Sequence, residues 1–402
     1  MDSNSRFLLK SFRKYYKVHT PIMPDRFTRR EFGFMFFDKQ FMQRHIGFSN
    51  PSELHRFMES QVPAHSYYST AYYRRPDAPT MDEKEWMGAE LIFDLDADHL
   101  EGAENMSFDA MLAQIKKEMI NLLDSFIYGD MGFTEDQVYI TFSGGRGYHA
   151  HVKAQDVLSL GPHERREIVD YVTSRSLDMD WVFPLRNEAS NYSANSRYNN
   201  VKVNRMIPPA DSGGWKLRLR NGLKDVVNNF CDLEPKEVNR LYPSTKGHKI
   251  DGMQENLRKS RDLIFINNKM TTLNKRTQDM LIEIMQKDVL KTLAGEVDEP
   301  VTADVKRLIR LPGSIHGKTG MRVTPLTRDE LTDFDPMLMA VPDEYSDEPV
   351  KLTMRHPYTL HIKGETFSNL EGQVEVPEYA AVFLVGRKHA DVGDGVVKDS
   401  FF

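Results

Sequence analysis

Asp94-Leu95-Asp96 closes an apolar run, and Ser143-Gly144-Gly145-Arg146-Gly147-Tyr148-His149 follows further along the chain. The first segment offers carboxylates to a divalent metal, and the second offers hydrogen-bond donors to a phosphate. Read as a strand, Leu91 to Asp96 puts Leu91, Phe93 and Leu95 on one face and both aspartates on the other, because strand side chains alternate with period two. Two carboxylates at i and i+2 then point at one spot. Such a pair suits a hard cation, since Mg2+ takes oxygen ligands and usually sits between one or two carboxylates and the phosphates of a substrate. Phosphoryl or nucleotidyl transfer is the chemistry this combination suggests.

Neither segment is specific by itself. Asp-x-Asp is common at solvated strand ends, and a turn between two strands explains the glycines without any ligand, because glycine is the default where positive φ is needed. The flanking residues carry the reading. Val138 to Phe142 is a strand candidate, the turn follows directly, and then His149, His151 and Lys153 alternate with Tyr148, Ala150 and Val152. The segment reads as a hairpin with a basic, imidazole-bearing face.

Other elements must hold these groups in place. Ser107 reads as an N-cap, and after it Phe108, Met111, Leu112, Ile115, Met119, Leu122, Leu123 and Phe126 recur at the spacing of an amphipathic helix. That helix lies between the two motif strands. Arg6 to Val18 is helix-like and Glu31 to Phe37 strand-like; Pro162 opens a helix to about Ser176. Lys275 to Leu293 reads as another, with Met280, Leu281, Ile284, Met285, Val289 and Leu293 as its buried stripe. Strand, helix, strand, then helices and a return to strands predicts an α+β core interrupted by a helical insertion.

The 402 residues are enough for two or three domains, and 40% hydrophobic with 28% charged residues marks an ordinary globular composition. A single cysteine, Cys231, excludes an intramolecular disulfide and any zinc site built from several cysteines of this chain. The first residues lack the apolar core of a signal peptide and no run of about 18 apolar residues occurs, so a soluble, cytoplasmic protein with no membrane association is the expectation. The net charge of −6 argues mildly against a coat of nucleic acid, but its distribution matters more. Between Val201 and Lys224 six bases (Lys202, Arg205, Lys216, Arg218, Arg220, Lys224) face the single acid Asp211, a local balance of +5. Beside a metal-and-phosphate site such a stretch is a candidate track for a polynucleotide backbone. Asp329 to Val350, with eight acids and no Lys or Arg, reads as a solvated, loop-rich stretch.

A third segment runs from Asp298-Glu299-Pro300-Val301-Thr302-Ala303-Asp304 into Arg307-Leu308-Ile309-Arg310-Leu311-Pro312-Gly313-Ser314-Ile315-His316-Gly317-Lys318-Thr319-Gly320. With it, the chain resembles the small catalytic subunit of the archaeal and eukaryotic type of DNA primase. The resemblance lies in the Asp94 strand, the Ser143 to His149 turn, the Asp298 to Gly320 stretch, and an N-terminal piece, Arg30 to Phe34 followed by Phe41 to Phe48. It spans roughly residues 25 to 325, and four motifs in one order are far more specific than any one of them.

The resemblance implies that Asp94, Asp96 and Asp298 hold catalytic Mg2+ or Mn2+. It implies too that Ser143, Arg146, His149, Arg310 and His316 contact the triphosphate of an incoming NTP, with Arg44 nearby. Asp304 is the alternative to Asp298, though the interval from Asp298 to His316 matches the family better. His151 reads as structural or solvent-facing, and Arg307 and Lys318 as either ligands or surface charges. Family members commonly carry a cysteine-containing zinc knuckle between the aspartate strand and the hairpin. Residues 97 to 137 hold no cysteine and only one histidine, His99, so no structural zinc is expected there.

The implied architecture is a mixed-sheet catalytic core from residues 1–200 and 296–402 with a largely helical insertion at 201–295. The implied activity is template-dependent nucleotidyl transfer that joins two ribonucleotides on single-stranded DNA and extends them into a short RNA primer. Its implied partners are a large subunit carrying an iron-sulfur cluster, the single-stranded DNA template and the replication machinery. A primase-polymerase extending with dNTPs is the near alternative. A glycosyltransferase holding a sugar nucleotide on Asp94 and Asp96 would need no Asp298, Arg310 or His316, and a decayed scaffold subunit would bind template without regard to metal. Every polar residue of the quoted motifs is present, which argues against decay.

Overall fold

Two four-stranded sheets carry the motif residues in the computed structural model, in which residues 1–100, 102–188 and 202–393 are described. The first contains Phe32–Met35 (β1), Gln43–Ile46 (β2), His65–Ser69 (β3) and Leu308–Arg310 (β7) in the order β7-β3-β1-β2. The second contains Leu91–Asp96 (β4), Val138–Phe142 (β5), Gly147–Val152 (β6) and Thr324–Leu326 (β8) in the order β8-β5-β6-β4. Together with the helices they make the α+β core that the order of elements predicts.

A mixed sheet was expected, yet every described ladder is antiparallel. The reason lies in the hairpin. β4 and β5 both run antiparallel to β6 and therefore parallel to each other, joined by a helix. Because β6 occupies the place between them, that crossover links two strands that never share hydrogen bonds.

Three helices matter most for the site: Ser3–Val18 (α1), Phe108–Asn121 (α2) and Glu378–Gly386 (α3). α2 starts where its cap predicts, with Ser107 Oγ accepting from the Ala110 N–H at 3.2 Å. Its stripe of Phe108, Leu112, Ile115 and Met119 is buried, and the helix continues as a π-helical stretch, Leu122–Asp130, that buries Leu122, Leu123, Phe126 and Ile127. α3 is apolar on all sides after its first residue and accordingly buried on all sides. Its one acid, Glu378, is satisfied by Lys14 Nζ at 2.6 Å, Ser11 Oγ at 2.7 Å and the Ser346 N–H at 2.8 Å, which ties α3 to α1.

The chain forms two compact units, residues 1–169 with 296–402, and residues 170–295. The insertion therefore begins before residue 201, because the hairpin of Leu185–Glu188 with Lys202–Arg205 belongs to it; residues 189–201 lie outside those described. It is otherwise helical, with Gly214–Asp232, Asp251–Ile266, and a third run made of Lys275–Ile284, the π-helical turn Met285–Val289 and Leu290–Leu293. The helix opened by Pro162 stops at Val172, short of Ser176, because Ser174 and Ser176 adopt φ of 56° and 64°. The acidic stretch after Asp329 is more ordered than a solvated loop: Leu331, Phe334 and Met337 anchor two short helices in the core.

One glycine fixes the spacing of the second sheet. A Cβ on Gly147 would stand 2.2 Å from the carbonyl oxygen of Leu95 in β4. Gly147→Ala is expected to push β4 off the turn and destabilise the fold by about 1–3 kcal/mol. Urea unfolding should show a lower midpoint at unchanged slope.

Candidate functional site

The β4–β6 register sets Asp94 opposite His149 and Asp96 opposite Gly147, so the aspartate face of one strand is the imidazole face of the other. His149 Nε2 lies 3.4 Å from Asp94 Oδ1. Asp298 reaches the same place from far along the chain, its backbone N–H donating to the Asp94 carbonyl at 3.0 Å, and it lines a small cavity with Asp94 and Asp96. Burial, with Asp96 and then Asp298 close by, pushes the Asp94 carboxyl up to about 7. Asp304 stands apart, exposed, its carboxylate accepting from the Lys306 N–H at 2.8 Å.

The turn after β5 is held by its own serine. Ser143 Oγ accepts from the N–H groups of Gly145 and Gly147 at 3.2 and 3.3 Å. Those two amides are thus committed within the turn, and the hydroxyl proton of Ser143 is what remains for donation. Gly144, at φ 74°, would set a Cβ 2.8 Å from the Cβ of His316, so it makes room for that histidine. Arg146 pairs with Asp98 and lies 3.8 Å from Asp96 Oδ1.

Opposing this turn is the segment after β7. Arg310 lies over the Tyr67 ring at 4.5 Å and meets His65 Nδ1 at 2.5 Å. The same Nδ1 accepts the Gly317 N–H at 3.2 Å, so His65 is a neutral ring protonated on Nε2. His316 packs edge-on to it, ring centres 4.9 Å apart, with Nδ1 3.2 Å from Thr319 Oγ1. Thr319 gives its own proton to the Gly144 carbonyl, so His316 Nδ1–H donates to Thr319 and its Nε2 is an acceptor. Burial and the neighbouring Arg310 hold His65, His149 and His316 well below the ordinary imidazole range.

Asp94, Asp96, Ser143, Arg146, His149, Arg310 and His316 line one cleft of about 680 Å3, joined by Arg307 and Lys318. Arg44 is not among its lining residues; its guanidinium is paired with the buried Glu31 at 3.1 and 3.3 Å. His151 is structural, buried and bonded to Glu90 Oε2 at 2.9 Å. Tyr67, Asp98, Arg387 and Lys388 also line the cleft. Nothing in the sequence pattern marks them, and nothing marks the supporting His65, a lone histidine in an ordinary strand.

Among the described residues, no three carboxylate, imidazole or thiol groups stand close enough to enclose a metal ion as they are. The donor chemistry nevertheless fits Mg2+ or Mn2+: Asp94, Asp96 and Asp298 supply hard oxygens, and their mutual repulsion is what a divalent cation relieves. In the second unit, part of the basic stretch is already engaged. Arg205 donates to Asp180 and to the Phe183 carbonyl, both at 2.8 Å, and Arg220 to Asn268 and the Phe265 carbonyl. Lys216 lies over the Trp181 ring at 4.2 Å. Among the described residues no helix is long and apolar enough to cross a membrane.

Residues 93–328 match a family model described as DNA primase small subunit. The chain is 41% identical over 401 residues to the DNA primase small subunit PriS of Methanothrix thermoacetophila, covering 98% of this chain and 100% of that one. It is 40% identical over 402 residues to PriS of Methanocella arvoryzae (97% and 99%), and 38% identical over 380 residues to PriS of Picrophilus torridus (94% and 96%).

Proposed function

The chain belongs to the DNA primase small-subunit family, and on that premise we propose that it is a template-dependent nucleotidyltransferase making short RNA primers on single-stranded DNA. The observation that carries this reading is the backbone bond between Asp298 and Asp94, which brings the third carboxylate to the Asp94–Asp96 pair beside a wall of cationic and imidazole side chains. Asp94, Asp96 and Asp298 would hold Mg2+ or Mn2+, which when bound would supply activation of the attacking 3′-hydroxyl and charge neutralisation on the leaving pyrophosphate.

The chain's own groups do the rest. Arg310 and Arg146 present planar forks that grip phosphate oxygens in pairs. Tyr67 beneath Arg310 and His65 beside it fix one of those forks before substrate arrives, which spares the cost of ordering it later. Ser143 donates its remaining proton. His316 Nε2 must take up a proton before it can donate to a phosphate, and the approaching triphosphate charge drives that uptake.

The reading includes a large-subunit partner, a single-stranded DNA template, the replication machinery and a cytoplasmic site of action. De novo synthesis on single-stranded DNA with labelled NTPs and Mg2+ or Mn2+, with and without a large subunit, tests it. Short, template-dependent RNA is the expected product. Bound template with no product under any condition would overturn the catalytic reading, and product from dNTPs alone would favour a primase-polymerase.

A further inference from the structure

The cleft contains a cation that none of the motifs supplies. α3 ends at Gly386, where a Cβ would stand 2.7 Å from the Lys318 carbonyl oxygen, so only glycine lets the helix end approach the turn that follows His316. That approach brings the next residue, Arg387, into the lining of the cleft. The position is well fixed. Its backbone N–H donates to the Phe383 carbonyl at 2.9 Å, and its guanidinium lies over the ring of Phe108, the first residue of α2, at 4.9 Å.

What Arg387 lacks, among the described residues, is a hydrogen-bond partner for Nε. That atom is buried, whereas Arg146, which lines the same cleft, is paired with Asp98. Burial and then the charge of Arg146 push the Arg387 guanidinium below its ordinary range, with Tyr358, Asp98 and Asp96 opposing them. Two guanidiniums that line one cleft, one with an unsatisfied donor, are suited to an anion held between them.

We propose that Arg387 is a further substrate-binding residue, which together with Arg146 holds the two phosphates of the incoming nucleotide that depart as pyrophosphate. This rests on the reading of the cleft as a nucleoside triphosphate site. The α-phosphate has to sit beside Asp94 and Asp96, where attack occurs. The phosphates beyond it carry most of the charge and fall to the cations of the turns, Arg146, Lys318 and Arg387. Arg387 lies outside the 93–328 segment that matches the family model, so the inference comes from the geometry of α3 and not from any motif.

The test uses the full-length chain and two readouts. Calorimetric binding of inorganic tripolyphosphate in EDTA, where no metal contributes, is compared for wild type, Arg387→Gln and Arg387→Lys. Loss of a charge-assisted bond should weaken Arg387→Gln about 10- to 100-fold, with Arg387→Lys in between. Primer synthesis should show KM for NTP raised by a similar factor, with kcat changed less than about threefold. Tripolyphosphate affinity within about twofold of wild type, together with a lowered unfolding temperature, would overturn the proposal and leave Arg387 a packing residue on Phe108. Absence of tripolyphosphate binding by wild type would overturn it as well. Arg387-dependent tripolyphosphate binding in a protein that makes no primer leaves the proposal standing and removes the polymerase reading. Active synthesis with unchanged KM in Arg387→Gln does the reverse.

Discussion

Asp96→Asn is expected to abolish primer synthesis, by at least about 10³-fold in kcat, while leaving the protein folded. The substitution is nearly isosteric, which matters because Asp96 Oδ1 also accepts the Asp98 N–H at 3.1 Å and caps the short helix that follows β4. The amide oxygen of Asn keeps that cap and loses only the charge. Asp96 is one of the two carboxylates whose repulsion raises Asp94, so removing its charge relieves the fold. Thermal stability should therefore stay the same or rise as activity disappears. Asp298→Asn should share the activity loss, whereas Asp304→Asn, altering a carboxylate outside both cavities, should change kcat by less than about twofold. Single-turnover incorporation and a thermal melt on each variant provide the check, and retention of more than about a tenth of wild-type kcat in Asp96→Asn would remove that carboxylate from the chemistry.

Glu90→Ala is expected to give the largest loss of stability, about 3–5 kcal/mol, because it strands a charge in the core. Glu90 and Arg30 are fully buried and paired. Arg30 also donates to the carbonyls of Ser69 and Thr70, both at 2.9 Å, and lies 3.8 Å over the Tyr72 ring; Glu90 accepts from Tyr72 Oη at 3.1 Å and meets His151 at 2.9 Å. The network joins the ends of the two inner strands of the first sheet, β1 and β3, to β4 and β6 of the second. Arg30→Met paired with Glu90→Leu should cost less than the sum of the single changes, since neither charge is then left alone.

The same pair sets a pH signature. Despite burial, Arg30 and then His151 hold Glu90 well below the usual carboxylate range. The folded chain thus binds fewer protons here than the unfolded one, and stability rises with pH through that window. Its contribution is complete above the ordinary glutamate value of 4.5 and is lost as pH falls toward the depressed folded value. Urea midpoints between pH 3 and 7 should fall on acidification in wild type, with a shallower acid limb in Glu90→Gln.

The helix at Ser107 could be read from the chain because it buries one face, and the strand Leu91–Asp96 because its second half alternates buried and part-exposed residues; such burial writes a period into the sequence. Asp298 has no such period around it; it sits before a five-residue helix and was reachable only through the family resemblance. Glycines were legible as a turn but not in their purpose. The amides of Gly145 and Gly147 are taken by Ser143 Oγ, and Gly144 and Gly147 are small to admit His316 and Leu95. Arg387 was invisible because α3 is apolar on all sides and carries no stripe to orient it. His65 was hidden for a different reason: its role depends on which distant segment arrives alongside, and local pattern holds no record of that.

The bond between Asp298 and Asp94 joins residues 204 positions apart in the chain. At roughly 5–20 residues per second, a ribosome takes about 10–40 seconds to make the intervening segment. The aspartate strand, α2 and the hairpin are complete early in that interval, but the carboxylate triad, Arg310 and His316 are not. A nascent or prematurely terminated chain therefore emerges without Asp298, Arg310 or His316 to set beside the aspartate strand.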